Sequence, residues 1–381
     1  MKLDTLCVHG ARRPDITGAL TTPIYQTSTF AHPGVGRSTG YDYSRSQNPT
    51  REQIERRLAA LEGGSGALAF TSGMAAATAL VELLKPGDRI IASEDLYGGT
   101  TRLFDRVSQK NGIATDYVDT SDLQALRAVM RPETRMIFIE TPSNPMMRVT
   151  DIRAAAEIAH SGGALLAVDN TFLTPYYCRP IELGADIVLH SGTKYLGGHN
   201  DTLAGFLVAA KPEFEEALRF IQKTTGAGLS PFDSFLIERG VKTLALRMDR
   251  ASASALTIAR ALERHPRVKS VHYVGLETHP GYELSKRQTD GFGAMISFEV
   301  DSPDTACAVL EGVKLVMYAE SLGGVESLIT YPLLQTHADV PEEKRLALGI
   351  TDRLLRLSVG VENCGDILAD LENALESAPS R

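Results

Sequence analysis

Residues 189–199 read "LHSGTKYLGGH" and follow directly on an apolar run, "ADIVL" (185–189), that has the composition of a buried strand. After this run a single lysine, Lys194, lies among small hydroxyl-bearing residues and glycines. A lysine in solvent needs no such neighbours, although exposed lysines are the commonest kind. In open α/β sheets, ligands bind at the carboxyl ends of the strands. The stretch therefore favours an amine that faces a ligand.

The sequence around this stretch alternates strand-like and helical segments. Between residues 51 and 247 the strand-like runs are "ALAF", "DRIIAS", "ATDYV", "RMIFIE", "ALLAVD" and "ADIVLH". Apolar strands that alternate with helices are typical of a mostly parallel sheet covered on both faces. We predict an α/β fold whose large domain, residues 51–247, carries a ligand site at one edge of its sheet.

Two further segments flank this predicted domain. Residues 248–381 begin with a long helical segment and continue with the strand-like runs "GAMISFEV", "SLITY" and "LLRLSVGV", which predict a smaller C-terminal α/β domain. Residues 1–50 are rich in Thr, Ser, Pro and Gly, which disfavours a long helix, yet they contain more aromatic residues than a disordered linker does. We predict that they form an irregular arm laid on another surface.

Composition narrows the class of protein. The net charge of −8 over 381 residues argues against nucleic acid or an anionic membrane as the main partner, because both reward clustered Lys and Arg. The first residues have no signal-peptide core and no run of about 18 apolar residues occurs, so we expect a cytoplasmic protein. The four cysteines lie far apart and the nine histidines form no H-E-x-x-H pattern, so we expect reduced thiols and no metal site.

Two of the predicted strand ends carry residues suited to a phosphorylated, flat ligand. Ser72, Gly73 and Met74 stand between a strand and a helix, where a hydroxyl and free backbone N–H groups form an anion-binding turn. An ordinary capped helix would explain the same residues. Tyr97 follows the next strand with two glycines behind it, and its ring would either cover a core edge or stack on a ligand.

Three more strand ends complete the pattern. Asn144 lies in "ETPSNP", where a proline-bracketed turn is the ordinary explanation. Asp169 ends the apolar run "LLAVD"; it is either a capping residue or a carboxylate that keeps a heterocyclic nitrogen protonated. Lys194 follows 25 positions later and can form an imine with a carbonyl. Each feature is weak alone, but in this order on one parallel sheet they indicate pyridoxal 5′-phosphate (PLP).

The chain resembles the PLP-dependent enzymes of cysteine and methionine metabolism, whose members include the cystathionine lyases and cystathionine γ-synthase. The resemblance covers nearly the whole chain and rests on long motifs: "CVHGARRPDITGALTTPIYQTSTF", "YDYSRSQNPTR", "TSGMAA", "LYGGTTRLF", "ETPSNP", "VDNTF", "HSGTKYLGGHND", "AESLGGVESLITYP" and "LLRLSVGVEN". It implies the PLP-dependent transferase fold of type I, shared with aspartate aminotransferase. It also implies a homo-oligomer, with a dimer of dimers usual for such enzymes.

The resemblance implies a role for each matched residue. Lys194 would hold the cofactor covalently and then move protons, and Asp169 would pair with the pyridine nitrogen. Tyr97 would stack on the ring and, as a second catalytic residue, help to displace the lysine. The phosphate would be held by a set of small residues and, from a neighbouring subunit, by two residues of the arm. These are Ser72, Gly73, Met74, Ser191 and Thr193, with Tyr43 and Arg45 on the arm.

The same resemblance implies a substrate site for sulfur amino acids. Arg356 and Asn144 would bind the α-carboxylate, for which the planar guanidinium suits bidentate contact, and Ser321 would lie beside Lys194. Glu320 and Asp42 are acidic where γ-acting relatives carry acids, so they would receive the distal ammonium of cystathionine. Arg102 would assist with its distal carboxylate. Surface ion pairs are the ordinary explanation for these last three.

We therefore expect a cystathionine lyase, with γ-cleavage ahead of β-cleavage and cystathionine γ-synthase as the nearest rival. Gly98 and Gly99 stand where methionine γ-lyases carry a cysteine, which argues against that activity. Gly192, Gly197 and Gln47 depart from better-known relatives and leave the exact reaction open. Two readings outside the class are disfavoured. A nucleotide-dependent oxidoreductase lacks its G-x-G-x-x-G turn, and a non-catalytic PLP-binding protein would not need every reacting group.

Overall fold

The computed structural model of the protein describes residues 1–12, 14–338 and 340–379. Within them, a seven-stranded sheet forms the larger part of the molecule, in the order β1-β7-β6-β5-β4-β2-β3. Its strands are β1 (Gly66–Phe70), β2 (Arg89–Ser93), β3 (Ala114–Val118), β4 (Thr134–Glu140), β5 (Leu165–Asp169), β6 (Ile187–Ser191) and β7 (Gly205–Ala209).

Six of these seven strands run in the same direction. β2 to β6 pair in parallel, whereas β7 is antiparallel to both of its neighbours, β6 and β1. The predicted mostly parallel sheet is confirmed, and β7 is an addition to it: no helix separates it from β6, so strand–helix alternation does not reveal it. As a consequence, the carboxyl ends of β1, β2, β4, β5 and β6 meet at one edge of the sheet.

A second, five-stranded sheet lies in the C-terminal part of the chain, in the order β10-β11-β12-β9-β8. Its strands are β8 (Val268–His272), β9 (Met295–Val300), β10 (Met317–Tyr318), β11 (Leu328–Thr330) and β12 (Leu354–Ser358). β10 and β11 are parallel and the other pairs are antiparallel. The fold is therefore mixed α/β, with a large central sheet and a smaller second sheet, as predicted.

Helices cover the sheets and connect their strands. They are α1 (Leu3–His9), α2 (Pro49–Glu62), α3 (Gly73–Val81), α4 (Gly98–Arg102), α5 (Leu123–Ala128), α6 (Ile152–Ser161), α7 (Thr174–Tyr177), α8 (Pro212–Thr225), α9 (Pro231–Val241), α10 (Leu244–Leu262), α11 (Tyr282–Gln288), α12 (Pro303–Gly312), α13 (Glu342–Leu348) and α14 (Cys364–Ser377). A π-helical segment, Leu103–Ser108, continues α4. Short 3-10 turns occur at Gln109–Asn111 and Pro180–Leu183.

Apolar side chains pack on both faces of the large sheet. On one face Phe70 and Phe138 pack in a cluster with Leu80 of α3. On the other face Val168 belongs to a larger cluster that includes Leu58 of α2 and continues into the second sheet. Burying side chains of this size contributes roughly 1.5–3 kcal/mol each, so the two clusters hold the sheet edge in a fixed shape.

The predicted arm differs from expectation in one detail, and the predicted domain boundaries stay predictions. Residues 3–9 form the helix α1, which packs on α2 and α10, whereas residues 14–48 are irregular apart from isolated bridges such as Thr29 with Tyr43. The boundary predicted between residues 247 and 248 falls inside α10.

In the described part of the chain, no helix could span a membrane, and no three His, Cys, Asp or Glu residues gather where they could hold a metal ion.

Candidate active site

The strand ends converge on a cavity of about 200 Å³. Its wall includes residues that follow β1, β2, β4 and β5 as well as the end of β6, so each of the five predicted corners contributes to it. The predicted site residues that line it are Ser72, Gly73, Met74, Tyr97, Asn144, Asp169, Ser191, Thr193 and Lys194. The parallel topology thus brings together chemistry that is scattered along the sequence.

Lys194 lies in the turn after β6 and is held by a residue of the C-terminal part of the chain. Its Nζ donates a hydrogen bond to the hydroxyl oxygen of Ser321 at 2.8 Å. Burial lowers the pKa of Lys194 to about 8; Arg356 lowers it further, whereas Glu320 opposes the shift. A lysine with this pKa is partly neutral near physiological pH, and the neutral amine is the form that acts as nucleophile or base.

Asp169 ends β5 and faces the same cavity. Its Oδ1 accepts hydrogen bonds from the backbone N–H and the hydroxyl of Thr171, at 3.0 and 2.5 Å. Burial raises the pKa of Asp169, and the Thr171 bonds oppose that shift. Thr171 also accepts the N–H of Ser191 at 2.9 Å, so it links the ends of β5 and β6. The carboxylate is therefore rigidly held and ready for a cationic partner in the cavity.

An anion-binding turn at the start of α3 forms another part of the cavity wall. Ser72 caps α3 by accepting the N–H of Ala75 at 3.1 Å, while the first N–H groups of a helix have no acceptor within it. Gly205 packs against this turn, because a Cβ there would come 2.0 Å from the carbonyl oxygen of Ser72. Thr193 exchanges hydrogen bonds with the backbone of Ala204 at 3.1 and 3.3 Å. The turn has the chemistry of a phosphate site.

Tyr97 is held from behind by a residue that sequence reasoning missed. Its backbone N–H donates to Oε2 of Glu140 at 3.0 Å, and its side chain is 43% exposed toward the cavity. Burial, together with the charge of Asp169, raises the pKa of Glu140 well above its ordinary range. The two glycines after Tyr97 are required sterically, since a Cβ on Gly98 or Gly99 would come 2.4 Å from the Thr336 carbonyl oxygen or 2.5 Å from the Tyr97 ring.

Arg356 lies on β12 with its side chain only 2% exposed. Its Nη1 donates to Oδ1 of Asn144 at 2.8 Å, and its Nη2 donates to the carbonyl oxygen of Ser321 at 3.1 Å and to the hydroxyl of Thr330 at 3.2 Å. Its Nε has no hydrogen-bond partner among the described residues. Burial lowers the pKa of Arg356 to about 10. A buried guanidinium whose bonded partners are all neutral is suited to an incoming carboxylate.

A second cavity, of about 900 Å³, adjoins the first and shares Thr193 and Leu203 with it. Glu320 and Ser321 lie in its wall. Glu326 lies there too, but its Oε2 already accepts a hydrogen bond from the Asn200 amide at 2.7 Å. A ligand that reaches from Lys194 into this space therefore meets a carboxylate at Glu320.

Five predicted site residues do not line either cavity. One is Arg356, which is hydrogen-bonded to Asn144 in the wall of the smaller cavity; the others are Asp42, Tyr43, Arg45 and Arg102. Asp42 is exposed and bonds to Ser38 at 2.7 Å and to His32 at 3.2 Å. Arg45 donates to the carbonyl oxygen of Lys223 at 2.6 Å and lies 5.7 Å from the centre of the exposed Tyr43 ring. Arg102 is an exposed residue of α4. For Tyr43 and Arg45, a place in a neighbouring subunit's site stays a prediction.

Two site residues were missed although the sequence carried a signal for them. Glu140 ends the apolar run "RMIFIE" as Asp169 ends "ALLAVD", so a polar residue at the end of a buried strand was the clue. Thr171 stands two positions after Asp169, a spacing at which a hydroxyl returns to a carboxylate in a turn.

The chain matches the family described as "Cys/Met metabolism PLP-dependent enzyme" over residues 4–376. It is 50% identical over 378 residues to cystathionine gamma-lyase from Bacillus subtilis (strain 168), covering 99% of this chain and 100% of that protein. It is also 50% identical over 375 residues to cystathionine beta-lyase from Lactococcus lactis subsp. cremoris (strain MG1363), covering 98% of this chain and 99% of that protein. The two relatives carry different activities at equal identity.

Solved structures give the same picture. The structure of cystathionine gamma-lyase from Lactobacillus plantarum complexed with L-serine has a TM-score of 0.97 at 44% identity and covers 99% of both chains. Cystathionine gamma synthase from Xanthomonas oryzae pv. oryzae, in complex with aminoacrylate and cysteine, has a TM-score of 0.96 at 42% identity and covers 99% of this chain and 98% of that one. The chain belongs to the Cys/Met metabolism PLP-dependent enzyme family, shares the fold of these enzymes and uses PLP as its cofactor.

The described residues fit this cofactor. The lysine amine, the phosphate-type turn of α3 and the buried carboxylate face one cavity. The hydrogen bonds of the Asp169 carboxylate within the described chain come from the neutral Thr171, which leaves the carboxylate available to a protonated ring nitrogen. Each reactive part of PLP therefore has a chemically matched group.

Proposed function

We propose that this chain is a carbon–sulfur lyase that cleaves L-cystathionine by γ-elimination, giving cysteine, 2-oxobutanoate and ammonia. The observation that carries the proposal is the position of Lys194: its amine lies at the small cavity beside Ser321, and Ser321 and Glu320 open onto the larger one. A substrate with an amino-acid group at each end needs both spaces.

One end of the substrate would be bound by Arg356 and Asn144. Their hydrogen bond to each other fixes the guanidinium, and the unpaired Nε leaves donor capacity for an α-carboxylate. The other end would extend into the larger cavity, where Glu320 would receive the distal ammonium. Asp42 and Arg102 would contribute only from another subunit or after movement, because each is exposed outside both cavities.

The cofactor would be held by Lys194 covalently, by Asp169 at its ring nitrogen, by Tyr97 against its ring, and by the α3 turn with Ser191 and Thr193 at its phosphate. When bound, PLP supplies a carbonyl that reacts with amines and a ring that withdraws electrons from Cα of the substrate. This assignment places each contact on the residue whose environment suits it.

Lys194 would act as the proton carrier. Its amine, with a pKa lowered to about 8, takes the proton from Cα of the bound amino acid. For sulfur to leave from Cγ, a second proton must come off Cβ, so the same amine must act again. The hydroxyl of Ser321 steadies the amine between these two positions. Buried Arg356 holds the carboxylate end still throughout.

Two alternatives are favoured by particular relatives. A β-lyase would take one proton only and release pyruvate, and a 50% identical relative bears that name. A γ-synthase would let a thiol add after the γ-leaving group departs, and a structure with a TM-score of 0.96 bears that name. The residues around Lys194 serve all three reactions, so their distinction rests on the product.

We also propose that the enzyme is a homo-oligomer, with a dimer as the smallest active unit and a dimer of dimers as the complete assembly. In this proposal Tyr43 and Arg45 complete the phosphate site of a neighbouring subunit. Their exposure, away from the cavity of their own chain, supports it.

Product analysis with L-cystathionine tests the proposed reaction. The holoenzyme is incubated with the substrate and the keto acid is identified by mass, with Lys194→Ala as the control for enzymatic turnover. 2-Oxobutanoate with cysteine supports γ-cleavage. Pyruvate with homocysteine would replace the proposal by a β-lyase. No keto acid would replace it by a γ-synthase, to be assayed with an activated homoserine and cysteine.

A further inference from the structure

Three buried polar side chains form a network that the proposed reaction does not use. Glu62, the last residue of α2, and His190 of β6 are fully buried, and Asn170 is 1% exposed. Glu62 Oε1 lies 2.6 Å from Nε2 of His190 and accepts the Asn170 amide at 3.0 Å. The same amide donates to the carbonyl oxygen of Cys178 at 2.8 Å.

This network lies directly behind the cofactor cavity. Successive side chains of a strand point to opposite faces of a sheet. Leu189 and Ser191 line the cavity, so His190 between them points to the other face. In the same way Asn170 lies between Asp169 and Thr171, both of which line the cavity. Glu62 thus links the ends of β5 and β6, through Asn170 and His190, on the face of the sheet that points away from the cavity.

A purely structural role does not account for these residues. Glu62 Oε2, His190 Nδ1 and Asn170 Oδ1 are buried and without a hydrogen-bond partner among the described residues. Such atoms cost free energy, and apolar side chains of similar volume would pack the same space at no such cost. Unlike apolar packing, hydrogen bonds are directional. Those of the network fix the lateral spacing between the ends of β5 and β6, each of which carries a residue that would contact the cofactor.

We propose that Glu62, His190 and Asn170 are positioning residues that hold Asp169 and Ser191 at the separation required by the ring nitrogen and phosphate of PLP. The inference rests on the proposed placement of the cofactor, but it does not depend on which sulfur amino acid is cleaved. His190 also favours the ionised form of Asp169 by lowering its pKa, although burial, which raises it, is the larger effect.

The test uses holoenzyme variants of Glu62. Glu62→Leu removes the acceptor, whereas Glu62→Gln retains an oxygen that can accept both hydrogen bonds. Glu238→Leu is the matched control, because Glu238 forms a similarly buried ion pair with Arg57 of the same helix α2, and neither residue lines the cavity. The readouts are the dissociation constant of PLP, the visible circular dichroism of the bound cofactor and the thermal unfolding midpoint.

We expect Glu62→Leu to raise the PLP dissociation constant about tenfold and to weaken the circular dichroism band, with Glu62→Gln restoring most of both. Asn170→Ser, too short to reach Glu62, should resemble Glu62→Leu, and it carries the test where the leucine variant does not fold. Unchanged PLP affinity in Glu62→Leu or Asn170→Ser overturns the proposal. So does a Glu62→Gln variant no better than Glu62→Leu, or an equal loss in Glu238→Leu.

Asp169→Asn distinguishes a wrong placement of the cofactor from a wrong role for the network. If that variant binds PLP like the unaltered protein, the placement of the cofactor is wrong, and the network proposal falls with it. If Asp169→Asn weakens binding and the Glu62 and Asn170 variants do not, the placement stands and the network proposal alone is wrong.

Discussion

The amine of Lys194 and the hydroxyl of Ser321 join the two sheets of the molecule across the active site, with Nζ donating to Oγ at 2.8 Å. Lys194 follows β6 of the large sheet, and Ser321 lies between β10 and β11 of the small one. Ser321 has a φ of +96°, which L residues rarely adopt. Such backbone strain costs roughly 1–3 kcal/mol and is maintained only where the surroundings enforce it. The bond is therefore a constrained contact at the point where chemistry is expected.

Replacing Ser321 should separate strain from chemistry. Ser321→Gly relieves the positive φ, so we expect the protein to gain about 1 kcal/mol of stability, while kcat falls about tenfold because the amine loses its partner. Ser321→Ala should lose the same activity without the gain. Thermal unfolding and steady-state kinetics measure both effects. Equal stability of the two variants would show that the φ is not a source of strain.

Lys194→Ala should abolish turnover and also the covalent bond that borohydride fixes between protein and cofactor, because no other amine lines the cavity in the part of the chain described. Mass spectrometry of the borohydride-treated protein detects the added cofactor. Lys223→Ala, at an exposed position of helix α8, is a suitable control and should retain both properties. Normal turnover in Lys194→Ala would contradict the proposed mechanism.

Glu320→Gln should change both the pH profile and the preference for substrate. Glu320 raises the pKa of Lys194, so removing its charge lowers that pKa further below its ordinary value. The amine must be neutral to take a proton, and the acid limb of kcat should therefore move to lower pH. In addition, KM for cystathionine should rise about tenfold through loss of the distal ammonium contact.

The matched control for that experiment is Glu326→Gln, since Glu326 lines the same cavity but is already bonded to Asn200. A substrate without a distal ammonium, such as an O-acyl homoserine, should show no KM change with Glu320→Gln. An equal KM change for both substrates would mean that Glu320 does not bind the distal group.

Arg356→Lys should reduce kcat/KM about 30-fold, because an ammonium cannot replace the bidentate fork and leaves Asn144 without its donor. The loss corresponds to about 2 kcal/mol. Arg353→Lys serves as the control; Arg353 directly precedes β12, and its guanidinium, which is 37% exposed, pairs with Glu299 of β9. A similar decrease in both variants would point to general damage to β12 rather than loss of carboxylate binding.

The proposed sharing of the arm between subunits predicts complementation. Lys194→Ala and Arg45→Ala should each be inactive or nearly so as pure proteins. When they are co-refolded, half of the dimers are mixed, and one of the two sites in each has both an intact lysine and an intact arm. About a quarter of the unaltered activity should return. No recovery, despite mixed oligomers seen by mass, would place Arg45 in its own subunit's site, and full activity of pure Arg45→Ala would place it outside any site.

The ends of the parallel strands were predictable because, in each short run of sequence, the apolar residues of a buried strand are followed at once by a residue with a reactive or ligand-binding side chain. A buried strand that ends in a polar group is predicted by each of the runs "LLAVD", "ADIVLHS" and "ALAFTSG". The parallel arrangement of these strands brings their ends to one edge of the sheet. The antiparallel β7 was not predictable by alternation, since residues 192–204 connect it to β6 without a helix.

Contacts between distant segments were beyond reasoning from local pattern. Ser321 and Arg356 reach the site from the second sheet, and only the family resemblance singled them out. Glu62 and His190 are 128 positions apart, and each looks unremarkable in its own helix or strand. The exposed positions of Asp42 and Arg102 depend on the course of an irregular arm and a five-residue helix, which sequence spacing does not determine.

The helix α10 is continuous across residues 244–262, and this limits where two enzymes of the family can be recombined to transfer substrate specificity from one to the other. A chimaera joined at residue 247 would splice one parent's helix to another's in mid-turn, and the buried faces on the two sides of the junction would have to match. A crossover in the turn at residues 263–267 leaves that helix intact and still transfers Glu320, Ser321 and Arg356 as one block.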